Sequence, residues 1–97
     1  MNRYMLLHFG FETPTPDIMA KWTAWFESVA EHTVEHGGFM GGTEISHEGS
    51  RPLSMDADAI TGFSMIEAES LEQAESLASS NPYIKSIRIY EVRSHGQ

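Results

Sequence analysis

The chain has 97 residues, no cysteine, and a formal net charge of −8 from six Lys+Arg against fourteen Asp+Glu. That length accommodates one domain, residues 1–97, and the missing cysteines exclude disulfides and thiolate-held metals. An acidic surface without a basic stripe speaks against nucleic acid and anionic membranes as partners. The N-terminal apolar run is too short for a signal-peptide core, and no stretch approaches a membrane span, so a soluble cytoplasmic protein is expected.

Residues 3–9 (RYMLLHF) read as a first strand, dense in apolar and aromatic side chains. Gly10 and the run Thr13-Pro14-Thr15-Pro16 end it. Thr15 is a natural helix cap, with Pro16 in the first helical position and Asp17 in the first turn. Ile18, Trp22, Trp25, Val29 and His32 then recur at helical spacing, which predicts a first helix over 17–36 stopped by Gly37-Gly38. Residues 39–46 (FMGGTEIS) read as a second strand and the polar residues 47–58 as one long loop. Residues 59–68 (AITGFSMIEA) form a third strand. Ser70 with Gln73 makes a capping box for a second helix, which Asn81-Pro82 closes. Residues 84–93 make the fourth strand, and the tail 94–97 is expected to fray.

The order is β-α-β-β-α-β, an α+β domain with two helices over one face of a four-stranded antiparallel sheet. The strands do not alternate cleanly between apolar and polar. The first puts Met5, Leu7 and Phe9 on one face and Tyr4, Leu6 and His8 on the other. A sheet apolar on both faces needs cover on both, which predicts a homodimer packed sheet to sheet.

Several stretches carry a family likeness: Tyr4-Met5-Leu6-Leu7, Gly37-Gly38, Gly41-Gly42-Thr43-Glu44, the block from Gly62 to Ala74, Asn81-Pro82-Tyr83-Ile84, and Glu91-Val92-Arg93. With them the chain resembles the YCII-related family of dimeric α+β barrel proteins. That resemblance implies a ferredoxin-like fold and a homodimer. It implies little about activity, since one relative looks like a cofactor-free dehydrochlorinase while most have no assigned reaction. Two departures matter. The Asp-Gly-Pro-Phe motif of one subgroup is absent, the region reading Asp56-Ala57-Asp58-Ala59-Ile60. A His–Asp pair proposed for some relatives is not carried over either, because the turn here reads Asn81-Pro82-Tyr83 and an amide is no general base.

Among candidate functional residues, His8 ends the first strand, where a histidine near its ordinary pKa suits general base chemistry. Trp22 and Phe26 on the first helix would wall a small-molecule cleft against the sheet. Glu44 and Arg88, charged residues placed in mid-strand, would pair or line that cleft with Tyr90, with Arg88 as a carboxylate clamp. His32 and His36 lie one helical turn apart, a metal-binding spacing, but the order is not His-Glu-x-x-His and no metal is expected. Ser46-His47-Glu48 holds triad residue types, yet adjacent loop residues cannot make triad geometry. No nucleotide fingerprint, phosphate loop or heme motif occurs, so no cofactor is expected.

Three functions follow: binding of a small organic molecule in the cleft; a cofactor-independent lyase or isomerase with His8 as base; or an interaction protein defined by its dimer interface. The strand order 4-1-3-2 would put Arg88 and Tyr90 beside His8 for either of the first two.

Overall fold

A computed structural model describes residues 1–93, and the expected frayed tail, 94–97, lies outside them. Strand β1 (Asn2–Phe9) leads through Gly10 into helix α1 (Pro16–Ser28), which Thr15 caps by accepting the Ile18 N–H at 3.2 Å. Strand β2 is Thr33–Gly38, and β3 (Gly42–Ser46) and β4 (Gly49–Leu53) form a separate hairpin. Strand β5 (Ile60–Ala68), helix α2 (Leu71–Ser79) and β6 (Ser86–Val92) complete the chain. The four-stranded sheet runs β2-β5-β1-β6, antiparallel throughout, which is the 4-1-3-2 order for the strands that belong to it.

The middle of the chain departs from the sequence reading. Helix α1 stops at Ser28 rather than 36, and Gly37-Gly38 lie in β2 instead of ending a helix. Val29 keeps the helical spacing because it still points into the core. Beyond it Thr33 turns back, its hydroxyl and N–H both donating to the Val29 carbonyl, and the β-branched Thr33 and Val34 join the sheet beside β5. Residues 39–46 are therefore not the second strand of the sheet. Their second half pairs with β4, which arises from the expected loop, through the two-residue turn His47-Glu48.

Both helices cover the same sheet face. The core beneath them holds Tyr4, Leu6, Trp25, Val29, Ile66, Ala68, Ala74 and Ala78. Helix α2 meets the sheet through alanines and lies close to β1, β5 and β6. Helix α1 meets it through Trp22, Trp25 and Phe26, whose rings hold the helix axis further away. The Trp25 indole N–H is satisfied by the Leu77 carbonyl at 3.0 Å, so that ring is structural. No helix among the described residues is long and apolar enough to cross a membrane.

The opposite sheet face is open. Met5, Leu7 and Phe9 from β1 lie beside Phe63 and Met65 from β5, and Arg88 and Tyr90 from β6 extend the same surface.

Candidate ligand-binding site

Where α1 stands off the sheet, a cavity of about 280 Å³ opens, lined by His8, Trp22, Phe26, His36 and the backbone around Gly37, Gly38, Thr61, Gly62 and Phe63. The glycines are what let the walls come together. A Cβ on Gly62 would lie 2.9 Å from the Gly37 carbonyl oxygen, a contact no side chain makes. The β1–β5 register slips between His8 and Phe9, and the Thr61 hydroxyl donates to the His8 and Gly10 carbonyls across the irregularity. Such bulges re-aim side chains and are common beside functional sites.

His8 is buried, 6% exposed. Its Nε2 lies 3.2 Å from the Ser64 hydroxyl, which is fully enclosed, while its Nδ1 is buried with no partner among the described residues. Trp22 and Trp25 meet the imidazole edge-on, with centroids 5.2 and 6.2 Å away. Burial in this aromatic setting pushes the His8 pKa down from 6.5 to about 4, so the ring is neutral at pH 7. A neutral imidazole has one donor and one acceptor nitrogen. If Ser64 donates to Nε2, Nδ1 carries the hydrogen; the other tautomer makes Nδ1 an acceptor.

The structure divides the candidate residues. His8, Trp22 and Phe26 come together. Arg88 and Tyr90 do not join them: β6 places Ile87, not Arg88, opposite His8, so both side chains fall on the open face. There Arg88 lies over the Phe9 ring, 4.6 Å from its centroid. The parity was readable, because Ile87 and Ile89 are the β6 residues that suit the core side. Glu44 is also displaced, lying in the hairpin and pairing with Arg51 at 2.8 Å, an ion pair that lowers the Glu44 pKa. His32 and His36 share no helix face: His32 Nδ1 lies 3.0 Å from the Glu67 carbonyl, and His36 stacks on Phe26 at 4.4 Å. The described residues contain no His, Cys, Asp and Glu group able to hold a metal. Missed from sequence were Ser64, His36 and Gly62, whose place depends on the β5 register and on β2 being a strand.

Fold and cavity together define an α+β domain with two helices over one face of a four-stranded antiparallel sheet and an aromatic cleft under its first helix. No protein-family model and no curated protein matches the sequence. Among solved structures the chain is similar to the 5-chloro-2-hydroxyhydroquinone dehydrochlorinase of Burkholderia phenoliruptrix, in complex with 2,5-dihydroxybenzoquinone, with a TM-score of 0.59 and 16% identity over 97% of this chain and 95% of that one. At that identity the likeness is one of fold.

Proposed function

We propose that the protein binds a small, planar, uncharged organic molecule in the cavity between α1 and the sheet, with His8 as its polar anchor, and that it does so as a YCII-like homodimer joined through the open sheet faces. The observation that carries the reading is that buried His8, whose Nδ1 has no partner among the described residues, lines an aromatic cavity. An orphaned buried polar atom costs about 1–3 kcal/mol, and a ligand oxygen or nitrogen would recover it. A cavity of about 150 Å³ is enough for benzene, so 280 Å³ suits one substituted six-membered ring. No carboxylate, lysine or arginine lines it, which disfavours a charged ligand. The hydroxylated ring held by the dehydrochlorinase is a useful guide to shape.

The test is titration with hydroquinone and, separately, benzoate, followed by tryptophan fluorescence and calorimetry. Saturable binding of hydroquinone, weaker binding of benzoate, and a loss of about 1–3 kcal/mol in His8→Ala are expected. Equal affinity of wild type and His8→Ala would remove His8 from the site. The lyase or isomerase reading uses the same histidine and the same cavity, and its signature is different. Turnover of a bound ring would fall about 10²–10⁴-fold in His8→Ala. A pKa near 4 makes His8 a weak base at neutral pH, so binding is the reading better supported.

A further inference from the structure

The β3–β4 hairpin leaves the body of the molecule. No backbone of another helix or strand lies close beside it, and all ten strand residues are exposed. A lone two-stranded hairpin is at best marginally stable in water. The chain's radius of gyration is 14.7 Å, against roughly 12.5 Å for a compact domain of this length. The ribbon is also two-faced. Glu44 and Arg51 pair on one face, whereas the other carries Thr43, Ile45, Ser50 and Pro52 and no charge, with Ile45 83% exposed. Between the hairpin base and the open sheet face lies a concavity of about 820 Å³, mostly apolar, with Leu7, Phe9, Phe39, Leu53, Met55 and Ile60 among its walls and Arg51, Asp56 and Asp58 also lining it.

We propose that the hairpin is a clasp for a second copy of this chain: Ile45 at the tip of one copy seats in the apolar concavity of the other, and two-fold symmetry repeats the contact. The inference rests on the sheet-to-sheet association proposed above, and area argues for its addition. Four strands at about 4.8 Å spacing and some eight residues at about 3.3 Å give a face of roughly 500 Å². Two such faces bury about 1,000 Å², below the roughly 1,200–2,000 Å² of stable interfaces. Reciprocal clasps supply the remainder, from the same side of the molecule and from a surface continuous with the open face.

Ile45→Asp tests it, because a side chain this exposed contributes little to the fold of one copy. Sedimentation equilibrium should show a wild-type dimer and, in Ile45→Asp, a dissociation constant raised roughly 30-fold or more, the size of an interface hot spot. A photo-crosslinking residue at position 45, in mixed light- and heavy-isotope protein, should join light to heavy chains at peptides bearing Leu7, Phe9, Phe39 or Ile60. A wild-type dimer unchanged by Ile45→Asp, or crosslinks confined to one chain, would overturn the clasp and leave the sheet-to-sheet dimer standing. A wild-type monomer would overturn both.

Discussion

His8 is where one residue's environment reaches furthest. Its folded pKa of about 4 lies below the ordinary 6.5. Between those values the unfolded chain takes up a proton that the folded chain refuses. Stability from this group is therefore complete above about pH 6.5 and is lost as pH falls toward 4, by an amount on the order of 3 kcal/mol. Urea midpoints at pH 7 and 4.5 should fall further for the wild type than for His8→Gln, which cannot titrate. Carboxylates shared by both proteins cancel in that comparison, and equal falls would mean His8 is not held neutral. Ser70 makes a second prediction at this scale. Its hydroxyl accepts the Gln73 N–H at 3.1 Å, while the Gln73 side-chain oxygen reaches back to accept the Glu69 N–H at 2.7 Å, one residue beyond the usual box partner, the Ser70 N–H. Ser70→Ala should cost about 0.5–2 kcal/mol in chemical denaturation.

At the scale of elements, the β2–β5 contact joins fold and site, because the same close backbone approach bounds the cavity. Gly62→Ala would drive a Cβ to 2.9 Å from the Gly37 carbonyl, a backbone atom with no freedom to move aside. The expected cost is about 1–3 kcal/mol. Gly38→Ala on the neighbouring strand meets nothing nearer than 3.9 Å and should change stability by less than about 1 kcal/mol. Similar denaturation midpoints for the two variants would show that the approach is not tight. These elements also mark what the sequence could disclose. β1, β5, α2 and both helix starts are written locally, in runs dense in apolar residues and in capping residues. β2 is not: residues 29–36 continue a helical spacing, and only pairing with β5, some thirty residues later in the chain, makes them a strand. The hairpin has no local signature, because its turn, His47-Glu48, lacks the Asn-Gly or Asp-Gly signal and its β4 strand carries Pro52. The same distinction governs the site. Trp22 and Phe26 follow from helical periodicity, and the alternation of Ile87 and Ile89 with Arg88 and Tyr90 separates the faces of β6, but the meeting of His8 with Ser64 and Gly62 follows from a β1–β5 register no local signal sets.

For the whole molecule, charge and shape act against each other. The chain is a slab of 43 × 40 × 18 Å, one layer of helices on one sheet, with an apolar sheet face that favours association. Yet each copy carries a net charge of −8, and stacking two slabs brings like charges within about 20 Å of each other. The Debye length is about 30 Å at 0.01 M salt and about 10 Å at 0.1 M, so repulsion across that distance is felt in dilute buffer and largely screened at moderate ionic strength. Burial of the apolar face, by contrast, depends little on such salt. The proposed dimer should therefore tighten as sodium chloride rises from about 0.01 to 0.2 M, opposite to an interface held by ion pairs. Its melting temperature should rise with protein concentration, as linkage requires when unfolding is coupled to dissociation. Sedimentation across that salt range reads the first effect and calorimetry across a hundredfold dilution the second. A dissociation constant that rises with salt would mean opposite charges, not Leu7, Phe63 and Met65, hold the copies together, and a melting temperature indifferent to dilution would mean that no dimer forms.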